Sequence, residues 1–271
     1  MSRPHAVVTG AASGLGRTIA EDLAGQGWDV TGIDIQADRL SQAAEEIAQA
    51  TGADVRSLVV DLGDVGAAAA AVDEAWATAP VDGLVNAAAI YPAIPYLELD
   101  ATAWTHVQTV NVTSPFFATQ ALARLALAAG RTSAVVNVAS GAARRARPGA
   151  AHYSTSKAAL VMATQASAIE LGAHGIRVNA VSPGFFAVDS AANPVTAEYS
   201  ALLAETVLPG PADAGSLAAT VRFLLSDAAR WITGAVIPVD GGSGAGTNRL
   251  PLHWTGTTTW QRASADEENR P

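Results

Sequence analysis

The sequence contains no cysteine, which excludes disulfide bonds and thiolate metal sites. Charged residues are also scarce, at 15% of the 271 residues, whereas apolar residues make up 49%. Disordered chains show the opposite balance, so we expect a folded chain with a sizeable core. No apolar run reaches the roughly 18 to 20 residues of a membrane span without an intervening glycine, proline or charge.

Basic residues are in the minority, with 16 Lys and Arg against 25 Asp and Glu and a net charge of −9. Nucleic acids and anionic membranes need a basic surface, so neither is an expected partner. The first five residues lead directly into an apolar strand, unlike a signal peptide. The histidines never fall at zinc-ligand spacing, so no metal is expected. We therefore expect a cytoplasmic protein that acts on a small molecule.

Short apolar runs alternate with longer helix-forming stretches along most of the chain. The expected strands are residues 6–9, 30–35, 55–61, 83–86, 133–140, 177–182 and 235–239. The expected helices are residues 14–25, 37–49, 65–79, 104–129, 153–172 and 212–227. This alternation predicts a single α/β domain with a doubly wound parallel sheet flanked by helices. The domain is expected to cover residues 1–242, with residues 243–271 as a C-terminal extension.

A glycine-rich turn joins the first expected strand to the first expected helix. It reads Thr-Gly-Ala-Ala-Ser-Gly-Leu-Gly over residues 9–16, and its candidate cofactor-binding residues are Gly10, Ser13, Gly14, Leu15 and Gly16. Glycines let the turn bend and let backbone N–H groups approach a pyrophosphate at the helix N-terminus. A turn without a ligand can also have this sequence, but its place in an N-terminal βαβ unit favours a dinucleotide site.

Asp34 ends the second expected strand, 18 residues after Gly16. A carboxylate there can accept hydrogen bonds from the adenosine ribose hydroxyls and repels a 2′-phosphate, so NAD is favoured over NADP as the cofactor. The alternative role for Asp34 is to cap the next helix, which Asp38 could also do. Asp61 and Leu62 close the third strand where the adenine would lie, although an acidic residue at a strand end is often only a cap.

Three chemically active side chains follow one another near the fifth expected strand. Ser140 ends that strand, at the carboxyl edge of the sheet where open α/β folds bind ligands. Tyr153 and Lys157 lie four positions apart on one face of the next helix. A phenol has a pKa of about 10, which a nearby cation lowers, so this set suits general acid–base chemistry. Lys157 is also the only lysine in the chain, beside 15 arginines.

These residues resemble the motif set of the short-chain dehydrogenase/reductase family, over about residues 5–242. The matching segments are residues 9–16, 86–88 (Asn-Ala-Ala), Asn111, Ser140, 153–157 (Tyr-Ser-Thr-Ser-Lys), 177–184 and 240–242 (Asp-Gly-Gly). Several ordered motifs at compatible spacings are more specific than any one of them. The resemblance implies a single Rossmann domain, NAD-dependent interconversion of secondary alcohols and ketones, and a homotetramer or dimer.

The resemblance also implies a role for each matching residue. The tyrosine that matches Tyr153 is the family's acid–base catalyst, and Lys157 lowers the pKa of that phenol and binds the nicotinamide ribose. Ser140 orients the substrate oxygen, and Asn111 holds a water in the proton relay. The further cofactor contacts that it implies are Asn86, Ala87, Ala88, Pro183, Gly184, Phe186 and Val188.

Two positions depart from the family pattern. Ala88 stands where the family usually has glycine, and it adds a methyl group where the backbone approaches the cofactor. Val188 stands where the family often has a threonine that bonds the carboxamide. That contact then falls to backbone groups or to Ser190, so the cofactor contacts there are less well defined.

The substrate side is expected to be formed by residues 90–95 and by a lid at about residues 185–210, both largely apolar. Residues 86–95 and the His-Tyr pair at 152–153 are weakly similar to family members that oxidise aryl secondary alcohols (1-phenylethanol-type dehydrogenases). An apolar or aryl secondary alcohol is therefore the first expectation. The candidate substrate residues are Tyr91, Ala142, Arg145, His152 and Phe185.

Other functions stay open at this point. Arg144, Arg145 and Arg147 are either a solvated loop or a clamp for an acidic, polyol or sugar-like substrate. A non-catalytic NAD-binding regulatory protein is a further alternative, which the intact Ser, Tyr and Lys set disfavours. A hydrolase is disfavoured because no Gly-x-Ser-x-Gly elbow surrounds Ser140.

The C-terminal extension divides into two parts. Its first part holds the large apolar residues Leu250, Leu252, Trp254 and Trp260, which are costly to leave in water. They are expected to pack either across a neighbouring subunit, near its active site, or back onto their own chain. The final residues, 263–271, are polar and have no apolar anchor.

Overall fold

The computed structural model describes residues 3–186, 198, 206–209 and 212–246. Val188, most of the expected lid and nearly all of the C-terminal extension lie outside these described residues. The strands are β1 (His5–Thr9), β2 (Asp29–Asp34), β3 (Val55–Val59), β4 (Gly83–Asn86), β5 (Ala134–Val138), β6 (Arg177–Pro183) and β7 (Val236–Val239). The α-helices are α1 (Gly14–Gly25), α2 (Ala37–Thr51), α3 (Ala67–Thr78), α4 (Ala101–Gln108), α5 (Ser114–Ala128), α6 (Ala151–Leu171) and α7 (Ala214–Leu225). None of the described helices is long and apolar enough to cross a membrane.

The seven strands form one parallel sheet in the order β3-β2-β1-β4-β5-β6-β7, which confirms the predicted α/β fold. The chain runs outward in one direction from β1 to β3 and in the other from β4 to β7. This reversal lies between β1 and β4, and it opens a crevice at the carboxyl ends of these strands. Open α/β sheets bind their ligands at such a crevice.

The core is divided by the sheet, because successive side chains of a strand point to opposite faces. Val8 of β1 packs into a cluster with Ile19 and Leu23 of α1 and residues of α7. Val7, its neighbour in β1, packs into the cluster on the other face, which includes Leu122 of α5. Helices therefore cover both faces, and the strands are apolar along their whole length for that reason.

The predicted helix over residues 104–129 is interrupted. The structure has α4, then a π-helical turn over Thr109–Thr113, then α5. Pro115 lies in the first turn of α5, and it has no N–H to give to the carbonyl of Asn111, four residues earlier. The turn widens there, as π-bulges do. The prediction of one continuous helix was wrong because it overlooked this proline.

The carboxyl end of β5 positions the first catalytic candidate. The predicted strand ran to residue 140, but β5 ends at Val138, although the N–H of Ala139 still donates to Val181 of β6 at 2.8 Å. Ser140 then caps a short 3₁₀ turn, Gly141–Ala143, and its Oγ accepts from the N–H of Ala142 at 3.1 Å. Its side chain is thereby fixed at the edge of the crevice.

A buried chain of polar side chains joins the sheet to α6. Asn86 Nδ2 of β4 donates to Asn137 Oδ1 of β5 at 2.8 Å, and Asn137 Nδ2 donates to Thr164 Oγ1 of α6 at 2.9 Å. The Thr164 hydroxyl donates in turn to the carbonyl of Leu160 at 2.8 Å. All three polar residues are at most 3% exposed, so a missing partner here would leave an unsatisfied buried group.

We therefore expect Thr164→Val to lower the free energy of unfolding by about 1–3 kcal/mol, because Asn137 Nδ2 would lose its acceptor inside the core. Thr220→Val is the matched control, since the Thr220 hydroxyl makes the same bond to a carbonyl four residues earlier, but on the exposed side of α7. Urea denaturation would measure both. Equal losses for the two variants would contradict a special role for the buried chain.

Candidate active site

The crevice contains a cavity of about 860 Å³, lined by elements from both halves of the sheet. It brings together most of the residues predicted from the sequence. The predicted cofactor and catalytic residues that line it are Gly10, Ser13, Gly14, Leu15, Gly16, Asp34, Asp61, Leu62, Ala87, Ala88, Ser140, Tyr153, Lys157, Pro183, Gly184 and Phe186. The predicted substrate residues that line it are Tyr91, Ala142, Arg145 and Phe185.

The glycine turn at one end of the cavity tolerates no larger residue at two positions. A Cβ on Gly16 would lie 2.2 Å from the carbonyl oxygen of Gly10. A Cβ on Gly10, whose φ is +73°, would lie 2.9 Å from the Cα of Ala88. Thr9 Oγ1 also accepts from the N–H groups of Ala87 and Ala88, at 3.0 and 3.1 Å. The turn is therefore packed directly against the Asn-Ala-Ala segment, and the methyl group of Ala88 is accommodated.

The N-terminus of α1 fits a pyrophosphate group. Ser13 is the N-cap residue, and its side chain makes no capping hydrogen bond. The first-turn N–H groups of α1 thus face the cavity without a side-chain acceptor from the cap, which is the arrangement that binds anions at helix N-termini. Together with the compact glycine turn and the size of the cavity, this fits a dinucleotide cofactor.

Asp34 lies at the adenosine end of the cavity and is buried. Its Oδ2 accepts from the N–H of Ala12 at 3.1 Å, and its Oδ1 accepts from the N–H of Gln36 at 3.0 Å. Gln36 is itself the N-cap of α2, so Asp34 does not cap that helix directly. The carboxylate therefore ties the glycine turn to the end of β2 and places a negative charge where a ribose would lie.

Lys157 lies beneath the centre of the cavity and is 2% exposed. Its Nζ donates to the carbonyl of Val138, the last residue of β5, at 2.7 Å. Burial lowers the pKa of Lys157 from its usual 10.5 to about 7, because the charged form loses its hydration. The fold thus holds a cation that is costly to bury unless further oxygen atoms surround it.

Tyr153 and Lys157 share one face of α6, as predicted, with Lys157 Nζ 5.9 Å from the centroid of the Tyr153 ring. The phenol ring is buried, and two further side chains pack against it. The Tyr91 ring lies 5.1 Å from it, centroid to centroid, and the Arg147 guanidinium carbon lies 5.4 Å from its centroid. The ring is therefore held between an aromatic neighbour and two cations.

Asn111 lies in the π-helical turn and does not line the cavity. Its side chain accepts from the N–H of Ile90 and donates to the carbonyl of Ile90, both at 2.9 Å. Its Nδ2 also donates to Ser156 Oγ at 3.0 Å, and Ser156 Oγ donates to the carbonyl of Tyr153 at 2.7 Å. The side chain therefore positions the start of α6, and the relay role of Asn111 stays a prediction.

Two other predicted residues lie elsewhere than expected. Asn86 belongs to the buried polar chain beneath the cavity, so it acts on Ala87 and Ala88 through the backbone. His152 was expected to contact the substrate, but it is fully buried and does not line the cavity. Successive residues of a helix point about 100° apart, so when Tyr153 faces the cavity His152 faces the core. The structure thus gives no contact between His152 and a substrate.

Several cavity residues were missed from the sequence. His106 of α4 reaches the adenine end beside Gly63, and its position depends on a tertiary contact that no local pattern signals. Asp240 follows β7 at the same carboxyl edge, in the Asp-Gly-Gly motif, which was a signal for it. Its two carboxylate oxygens accept from the N–H groups of Gly242 and Gly244, at 3.0 and 2.9 Å. Asp240 therefore shapes the turn after β7.

Among the described residues, no group of three or more His, Cys, Asp or Glu could hold a metal ion.

Comparison with known proteins agrees with this geometry. A family model described as Enoyl-(Acyl carrier protein) reductase matches residues 10–244. Galactitol 2-dehydrogenase (L-tagatose-forming) from Cereibacter sphaeroides is 37% identical over 241 residues, covering 88% of this chain and 93% of the relative. Gluconate 5-dehydrogenase from Gluconobacter oxydans (strain 621H) is 32% identical over 247 residues, covering 89% of this chain and 95% of the relative.

The fold is shared with solved structures as well. A short-chain type dehydrogenase/reductase from Mycobacterium marinum superimposes with a TM-score of 0.82 at 30% identity, covering 89% of this chain and 95% of that one. The family match spans the glycine turn, the Ser, Tyr and Lys set and the motif after β7. On these grounds the chain belongs to the short-chain dehydrogenase/reductase family of nicotinamide-dependent oxidoreductases.

Proposed function

We propose that this protein interconverts a secondary hydroxyl group of a polyol or sugar-like substrate and the corresponding ketone, with NAD as its cofactor. The observation that carries the proposal is the convergence of Ser140, Tyr153 and Lys157 in one cavity with the glycine turn. A non-catalytic dinucleotide-binding protein would need the turn but not the three reactive side chains.

Each of the three side chains is assigned a role in the proposed reaction. Ser140 Oγ accepts from Ala142, so its own proton remains available to donate to a substrate oxygen. In the oxidation direction the Tyr153 oxygen, as phenolate, accepts the proton of the substrate hydroxyl, and in reduction the neutral phenol returns it. The Lys157 ammonium favours the phenolate form by its charge.

The residues that would hold the cofactor are those of the glycine turn, Asp34 and Lys157. When bound, a nicotinamide cofactor supplies the hydride acceptor or donor for the reaction. The N-terminus of α1 would bind the pyrophosphate. Lys157 would bind ribose hydroxyls, and these would give its buried ammonium oxygen partners in addition to the Val138 carbonyl, the one that the described residues provide.

Asp34 supports NAD in preference to NADP. Its negative charge lies where a 2′-phosphate would have to be placed. The nearest basic residue of α1, Arg17, is engaged by Glu21 and Glu46 at 2.8 and 2.5 Å, so it is directed away from that position. A 2′-phosphate would therefore meet the Asp34 carboxylate, while Arg17 is held by its two glutamate partners.

The relatives support the polyol class rather than the aryl alcohol that the sequence first suggested. The aryl expectation depended on a few residues of segment 86–95 and on His152, which is buried away from the cavity. The two curated relatives are named for galactitol and gluconate, which are polyhydroxylated. Assays with galactitol, D-glucitol and 1-phenylethanol, followed by NADH absorbance, test this choice. Turnover of the aryl alcohol alone would contradict it.

For Tyr153→Phe we expect kcat to fall by about 10²- to 10⁴-fold, because the variant has no transferable proton at this position. NADH binding, measured by fluorescence titration, should change little, since the ring remains. Tyr96→Phe is the matched control, because Tyr96 is 78% exposed and does not line the cavity. Substantial activity in Tyr153→Phe would mean that the acid–base group lies elsewhere.

For Asp34→Asn we expect the preference for NAD over NADP to shrink by at least about tenfold in kcat/KM, because the repulsion of the 2′-phosphate is removed. Asparagine retains an oxygen that can accept one of the two backbone hydrogen bonds, so the turn is better preserved than with alanine. Asp61→Asn removes a charge from the same end of the cavity and should leave the ratio nearly unchanged. Wild-type enzyme that prefers NADP would contradict the proposal.

The lowered pKa of Lys157 also predicts how the free energy of unfolding depends on pH. Between pH 7 and 10.5 the unfolded chain binds a proton at Lys157 that the folded chain has released, so stability rises with pH in that range. Between pH 7 and pH 9.5, the free energy of unfolding of the cofactor-free wild type should rise by about 3 kcal/mol more than that of Lys157→Met. Urea denaturation of both proteins at the two pH values measures the difference. Parallel pH dependence would contradict a depressed pKa.

A further inference from the structure

We propose that Arg145 and Arg147 bind a terminal anionic group of the substrate, so that the preferred substrates are polyhydroxy acids or phosphorylated polyols rather than neutral polyols. This inference rests on the proposed function and narrows its substrate class. The shared chemistry is a carboxylate or phosphate at the end of a chain of hydroxylated carbons.

The three arginines of the loop between β5 and α6 do not have the same position. Arg145 and Arg147 line the cavity, whereas Arg144 does not. The N–H groups of Arg144 and Arg145 both donate to the carbonyl of Gly141, at 3.1 and 3.2 Å, so this part of the loop is a turn that follows directly from Ser140. Arg145 and Arg147 are therefore candidates for contact with the substrate, whereas Arg144 faces solvent.

Arg147 lies close to the reacting group. Its guanidinium stacks over the ring of Tyr153, which carries the acid–base hydroxyl. The carbonyl of Gly149 accepts from the N–H of Ile94 at 3.0 Å, which ties the loop to the segment after β4. Gly149 has a φ of +70°, a conformation that favours glycine and fixes this close approach. The loop is thus anchored on both sides, and its arginines are held beside the substrate end.

The charge balance of the cavity leaves the positive charge of Arg145 available. Arg145 forms no ion pair with any residue that the structure describes. Asp34 and Asp61 lie at the adenosine end, and the Asp240 carboxylate is occupied by the N–H groups of its own turn. In a protein of net charge −9, the guanidinium of Arg145, which lines a cleft and has no paired carboxylate among the described residues, points to an anionic ligand.

The guanidinium group suits such a ligand. Its planar fork donates two parallel hydrogen bonds to a carboxylate or phosphate, which a neutral hydroxymethyl group cannot accept in the same way. Binding energy of this kind would discriminate an acid from the corresponding alcohol. The matched pair D-gluconate and D-glucitol tests it, because one end of the chain is a carboxylate in the first and a hydroxymethyl group in the second.

The experiment measures kcat/KM with NAD for D-gluconate, D-glucitol and D-glucitol 6-phosphate on the full-length wild type, Arg145→Gln and Arg144→Gln. We expect one of the two anions to be preferred over D-glucitol by at least about tenfold, and the favoured anion tells a carboxylate site from a phosphate site. Arg145→Gln should reduce that preference by about tenfold, mainly through KM. Arg144→Gln removes the same charge from the same loop and should change the preference less than about twofold.

Two results would overturn the inference without affecting the proposed function. One is turnover of neutral polyols with no preference for either anion. The other is an equal loss of the preference for anions in Arg144→Gln and Arg145→Gln. That result would indicate a general electrostatic effect of the charged loop rather than a specific binding site. If no polyol is turned over, the proposed function fails. In that case, calorimetric titration of D-gluconate and of D-glucitol 6-phosphate into the NADH-loaded protein tests the inference separately. Arg145→Gln should weaken the binding of one of these two anions, and unchanged binding of both would overturn the inference.

Discussion

The buried ammonium of Lys157 is the constraint on which the rest of the site depends. A charge that is removed from water needs oxygen partners, and the described part of the chain supplies one, the carbonyl of Val138 at the end of β5. That bond places the first turns of α6 under the carboxyl edge of the sheet. Tyr153, one turn earlier on the same helical face, is consequently brought to the cavity. The side chain that we propose to serve the chemistry therefore also ties its helix to the sheet.

Helix α6 is held in register by two further polar contacts on the face that carries Lys157. Thr164 accepts from Asn137 of the sheet, and Ser156 accepts from Asn111 of the π-helical turn. Positions 153, 156, 157 and 164 recur at helical spacing, so one buried stripe carries both the reactive groups and their anchors. Such contacts are directional, unlike apolar packing, and a slip of α6 would break all of them together.

The parts of this structure that were predictable from the sequence are those in which local spacing fixes geometry. The Tyr153 and Lys157 pair depends only on the four-residue period of a helix, and all seven strands were located from their apolar runs. The roles of Asn86 and His152 were not predictable, because the direction of a buried side chain depends on which elements pack around it. The π-helical turn at Asn111 had a readable signal in Pro115, four residues later.

Electropositive groups lie at several points along the cavity of this acidic protein, alongside the carboxylates of Asp34, Asp61 and Asp240. The N-terminus of α1 faces one end, Lys157 lies at the centre, and Arg145 and Arg147 lie at the other end. In the proposed function the first two would bind groups that every dinucleotide cofactor carries, so they would not discriminate between substrates. Arg145 lies on an exposed loop outside the buried stripe of α6, so its replacement should disturb neither the core nor the Tyr153 ring, whereas Arg147 stacks on that ring. Under the proposed function, selection among substrates would thus be physically separate from the chemistry, and the two would meet at Tyr153, beneath Arg147.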